Sequence, residues 1–161
     1  MAQRVHFWQM WYTTLMHKSF YASGFLYSLK THKILLLQSE QKDDIKSLWS
    51  ILGGEVKEGE DAINTFQRVV YELLNIDLKI KHIYPIYDYF HDKLDRINYV
   101  FYAEVKSPKI LKSLKDSIYS WVSFSETVKL PFASHTKQDV IVGERVINAK
   151  WRDDQAIETS L

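Results

Sequence analysis

The chain has 161 residues, 46% hydrophobic and 25% charged, with a formal net charge of +1. That length suits one domain with a sizeable core and is short for two. The composition excludes a disordered chain, the small charge excludes a whole-molecule field that would draw in nucleic acid or anionic lipid, and the lack of cysteine excludes disulfides and thiolate metal sites.

In chain order, the first 16 residues carry Phe7, Trp8, Trp11 and Tyr12 and follow neither a strand nor a helix period, so they read as an N-terminal extension. Arg4, His6, Gln9 and Thr13 interrupt its apolar residues, unlike a signal peptide. No apolar run reaches the roughly 18 residues of a membrane span. A cytoplasmic protein without membrane contact is expected.

Residues 19–29 and 33–38 read as two strands joined at the turn-prone Lys30-Thr31-His32, a hairpin. Residues 41–47 are polar and read as a loop. Residues 49–52 form a short strand that ends at Gly53-Gly54. The period then changes. Ala62, Ile63, Phe66, Val69, Val70, Leu73 and Leu74 fall at helical spacing, with Asp61 as N-cap and Asn75 as a left-handed terminator. Residues 76–89 and 98–105 read as strands, and Pro85 marks an edge or a bulge in the first. Lys106, Lys109, Lys112 and Lys115 form a basic run, read as a solvated face. Residues 121–124 are a short strand. Residues 137–149 form a closing helix that Gly143 weakens, and residues 150–161 read as a flexible tail.

This pattern predicts a single domain over residues 1–161: an α/β/α sandwich whose mixed sheet has the central helix on one side and a C-terminal helix on the other. The ten Tyr, eight Phe and five Trp are core payload or, in part, a stacking surface for bases or sugars.

Residues 53–76, GGEVKEGEDAINTFQRVVYELLNI, carry a longer pattern. It resembles the box of the Nudix (MutT-type) hydrolase superfamily: Gly, five residues, Glu, seven residues, then Arg-Glu-U-x-Glu-Glu-x-Gly-U, with U a bulky aliphatic. Gly54, Glu60, Arg68, Val70, Glu72 and Ile76 match it, and Trp49, Leu52 and Gly53 resemble its lead-in. The resemblance implies an ion pair between Glu60 and Arg68 that braces loop against helix. It also implies carboxylates at i, i+3 and i+4 on one helix face, which hold Mg²⁺ or Mn²⁺ for pyrophosphate hydrolysis.

The match fails at those carboxylates. Val69 and Leu73 replace two of them, Asn75 replaces the Gly, and Glu72 alone remains as catalytic and metal-ligand candidate. A later acidic ligand seen in some members aligns with Ser120; Asp116 and Glu126 are the nearest acids. Glu55 and Glu58 are loop acids that would approach a metal from the other side. Something is expected to cover the apolar Val69 and Leu73, either the N-terminal aromatic segment or a second subunit.

Tyr89 and His135 are the candidate substrate-binding residues, in a neighbourhood that includes Tyr87, Phe90 and His91. The spacing of His82 and His91 does not suit a metal pair. Two functions follow. One is a Nudix-like hydrolase acting on a pyrophosphate bond of a nucleoside diphosphate derivative, with Mg²⁺ or Mn²⁺ and weak or lost activity. The other is a catalytically inactive Nudix-fold binding or regulatory module for a nucleotide or protein partner. A nucleotide-type small molecule is the expected ligand, nucleic acid is not, and a homodimer is an option.

Overall fold

A strand sandwiched between two layers must offer apolar side chains to both, because its side chains alternate. β1 (Phe20–Ser28) does so. Ala22 and Leu26 join Leu35, Leu52, Phe66, Val70, Phe101 and Ala103 on one face. Phe25 and Tyr27 join Ile34, Leu36, Tyr102, Val140 and Ile147 on the other. The computed structural model describes residues 19–39, 47–109, 111, 117–133 and 135–160. The aromatic extension, the loop at 41–46, Lys112, Lys115 and Asp116 lie outside the described residues.

β1 turns antiparallel into β2 (Lys33–Ser39) with Tyr27 opposite Ile34, which is the expected hairpin. β2 also pairs antiparallel with β3 (Trp49–Ser50) and β7 (Ser117–Ser123). β4 (Leu52–Glu55) runs antiparallel to the first half of β1, from Tyr21 opposite Glu55 to Gly24 opposite Leu52. β6 (Arg96–Val105) lies parallel to β1 over its full length, and β5 (Ile83–His91) closes that edge antiparallel to β6. The sheet is therefore mixed. Its register shifts between Pro85 and Tyr87, where a residue without an N–H interrupts the ladder of an edge strand.

α1 (Ala62–Leu74) covers one face and α3 (Thr136–Thr159) the other, with a short α2 (Phe124–Thr127) beside α3. The Asp61 carboxylate accepts from the Asn64 backbone N–H at 2.9 Å, and Asn75 ends α1 at φ 54°, as the sequence predicts. α1 is anchored by Phe66, fully buried and stacked on Phe101 with ring centroids 5.7 Å apart. α3 passes the sheet at Gly143, where an added Cβ would lie 2.6 Å from the Phe25 ring. The glycine read as a weakness is what lets helix and sheet meet.

Four boundaries differ from expectation. The strand at 49–52 is broken at Ile51 and resumes through both glycines to Glu55, because β4 leaves β2 to pair with β1. Residues 76–82 are irregular, with a 3₁₀ turn at Ile80–His82; Ile76 and Leu78 are buried against α1's core without joining the sheet. β7 begins four residues before Trp121 and gives way to helix at Phe124, where Ser123 and Glu126 form a capping box. In place of a tail from residue 150, α3 continues to Thr159 with residues 151–159 exposed. No described helix is long and apolar enough to cross a membrane.

Candidate functional site

The loop between β4 and α1 is tied to the helix by one arginine. Arg68 Nε donates to Glu60 Oε1 at 2.6 Å and Nη2 donates to Oε2 at 3.0 Å, a two-pronged pair. Nη2 also donates to the Glu55 carbonyl at 2.8 Å. Glu60 Oε2 accepts further from the Lys57 N–H and the Thr65 hydroxyl. The Arg68 hydrogen bonds, with these two, hold the Glu60 carboxyl down at about 2. The brace implied for Glu60 and Arg68 is present.

One turn on, Glu72 faces two cations. Lys57 Nζ sits 3.1 Å from Oε1, and Arg68 Nη1 sits 3.1 Å from Oε2. The Lys57 hydrogen bond, more than Arg68, lowers its pKa. Val69 is 4% exposed and lies directly under Gly54, where an added Cβ would meet its Cγ2 at 2.6 Å. Leu73 is partly buried against the α1 core. Among the described residues the strand at Gly54 covers Val69, which is a different cover from the N-terminal segment or second subunit expected. The Gly53-Gly54 backbone can approach α1 because the residue beneath is a compact apolar one.

The other acids do not converge here. Glu55 turns its carboxylate to Arg96, and Glu126 is spent on the Ser123 cap. His82 and His91 stand just before and at opposite ends of β5. Among the described residues no group of three His, Asp or Glu side chains is placed to hold a metal ion.

On the α3 face of the sheet, β1, β3, β5, β6 and the start of α3 enclose a cleft of about 260 Å³. Tyr89 and His135, the two candidate substrate residues, both line it and stack on each other with centroids 5.0 Å apart. His91 packs beside His135 at 5.4 Å, and Tyr87 beside Tyr89 at 5.5 Å. Phe90 points away and is 46% exposed. His135 enters α3 with φ 64°, the left-handed conformation that swings its ring over the cleft.

The polar floor of the cleft is made by residues outside the sequence candidates. Asn98 is 6% exposed; its Nδ2 donates to the Tyr89 hydroxyl at 3.0 Å, and its Oδ1 has no partner. Arg96 lies over the Tyr21 ring at 4.3 Å and pairs with Glu55, yet its Nε is unpartnered, as is His91 Nδ1. Asp139 is 3% exposed and accepts from the Tyr87 hydroxyl at 2.6 Å. Burial pushes both the Asp139 carboxyl and the Tyr87 phenol upward. A signal for Asn98 existed: it shares an inward face with Val100 and Tyr102, where a polar residue is out of pattern. Glu55 joins the two halves of the site, its carbonyl held by Arg68 and its carboxylate by Arg96.

A family model described as the NUDIX domain matches residues 20–142. No protein of curated function matches the sequence. Among solved structures, the Escherichia coli ORF135 protein is similar at a TM-score of 0.63 and 20% identity, over 81% of this chain and 91% of that one. The NUDIX domain of Shewanella oneidensis NrtR complexed with ADP ribose is similar at 0.61 and 16%, over 80% and 86%. The E. coli dihydroneopterin triphosphate pyrophosphohydrolase is similar at 0.55 and 18%, over 75% and 91%.

Proposed function

The chain belongs to the NUDIX family, and on that premise we propose that it binds a nucleoside diphosphate derivative in the Tyr89–His135 cleft without hydrolysing it. The observation that carries this reading is the state of the helix face where family members hold divalent metal. Val69 is sealed under Gly54, and Glu72 is already paired with Lys57 and Arg68. Mg²⁺ and Mn²⁺ need several oxygen donors, and a single carboxylate facing an ammonium and a guanidinium does not fit them.

The cleft itself suits a base or a ribose. The Tyr89 and His135 rings offer stacking surface. Asn98 Oδ1 would accept, and Arg96 Nε would donate, hydrogen bonds that no described residue supplies. The likeness to the NrtR domain, a structure complexed with ADP ribose, supports ADP-ribose as the first probe. The expected result is a saturable rise in Tm with ADP-ribose, unchanged by EDTA and lost in Asn98→Ala, with no phosphate-containing product in Mg²⁺ or Mn²⁺.

The intact Glu60–Arg68 brace favours a second reading, a hydrolase in which Glu72 ligates Mg²⁺ or Mn²⁺. Metal-dependent product that disappears in Glu72→Gln would establish that reading and remove the first.

A further inference from the structure

A cavity of about 580 Å³ lies apart from the cleft. It lies on the same sheet face but at the hairpin end, and no residue lines both. We propose that this cavity is a second ligand site, for a small molecule that carries an aromatic ring and a phosphate.

The phosphate half rests on α3. Arg145, Asn148 and Arg152 stand at i, i+3 and i+7 and line the cavity together. Lys150 takes two carboxylates of this region, Glu104 at 3.3 Å and Asp154 at 2.9 Å. The guanidiniums of Arg145 and Arg152 make no hydrogen bond or ion pair among the described residues. Their Cα atoms are about 10 Å apart along the axis. Two unpaired guanidiniums on one concave wall, with an amide between them, suit a multidentate oxyanion.

The ring half rests on Tyr27, His32 and Phe124, across from α3, and on Trp151 of α3 itself. Tyr27 and Phe124 lie 6.3 Å apart at 29°, and His32 meets Trp151 edge-on at 5.8 Å. The Tyr27 hydroxyl is hydrogen-bonded to His32 Nδ1 at 2.9 Å, which fixes the wall. Trp151 keeps 48% of its surface exposed, so a ring can reach it. The volume falls within the roughly 300–1,000 Å³ of small-molecule sites.

Phenyl phosphate is the probe, with inorganic phosphate and benzyl alcohol as its separate halves. The readout is the Trp151 indole N–H resonance, assigned by its loss in Trp151→Phe. Phenyl phosphate is expected to shift that resonance saturably. Arg145→Gln and Arg152→Gln should each weaken binding about tenfold, the scale of one charge-assisted hydrogen bond. Both arginines are exposed, and circular dichroism verifies that the variants stay folded. Asn98→Ala, which alters only the cleft, should leave the titration unchanged. The proposal is overturned if the shift never saturates or the arginine variants bind equally. It is also overturned if phosphate alone binds as tightly, if Asn98→Ala abolishes the response, or if only an oligoglutamate peptide moves Trp151.

Discussion

Glu60 ties protonation to stability most directly. Its folded pKa of about 2 lies below the ordinary 4.5, so the folded state binds its proton less readily than the unfolded chain. Its contribution is therefore complete above 4.5 and is lost as pH falls from there towards 2. Urea unfolding across that window should show stability dropping with acid, and Glu60→Gln should flatten the slope. Asp139 has the opposite sign. Its carboxyl is pushed above 3.8 by burial, so the unfolded chain releases that proton more readily, and stability falls as pH rises from 3.8 through the raised folded pKa. Asp139→Asn keeps an oxygen for the Tyr87 hydroxyl, and should stabilise the protein at about pH 7 but not at about pH 3. Neither effect could be read from sequence. Glu60 matched a spacing, but Asp139 gave no sign that its helix position faced a tyrosine from β5.

At the scale of elements, α1 and β4 are a fitted pair. Gly54→Ala would drive a methyl into Val69, and overpacking of this kind costs about 1–3 kcal/mol, measurable by chemical denaturation. Val69→Glu, which restores the family's residue, should not restore a metal centre. It would bury a carboxylate with no partner, a loss of about 3–5 kcal/mol, and the expected outcome is a protein that unfolds earlier and still binds no Mn²⁺ by electron paramagnetic resonance. α1 was legible in the sequence because its period, cap and left-handed terminator are local. The split of residues 49–55 into β3 and β4 was not, because only the choice of partner strand makes it. The irregular stretch at 76–82 departs from the strand its alternation predicts for a related reason: Ile76 and Leu78 are apolar to cover a helix, not to face a sheet neighbour.

Over the whole molecule, β1 and β6 serve both cores, Ala22, Phe101 and Ala103 on one face and Phe25 and Tyr102 on the other. The two layers should unfold together. Phe66→Ala on one side and Ile147→Ala on the other should each cost about 2–5 kcal/mol. Each should still give one transition, seen alike by far- and near-ultraviolet circular dichroism. Two separated transitions would show that the layers are independent. The sandwich was legible at this scale because its two-faced strands and helices carry their own periods. The cleft was not, since its floor and walls are gathered from five elements, and Arg96, Asn98 and Asp139 meet only after the sheet is assembled.

The exposed end of α3 has a practical consequence. Past Arg152 the helix is held by bonds within its own turns, such as Lys150 to Asp154 and the Thr159 hydroxyl to the Gln155 carbonyl. It projects about 10 Å. A spin label or dye on Glu158 would ride on a rod whose bearing is set by the sheet. Its anisotropy would gauge how far that rod melts back on warming, long before the body of the protein loosens.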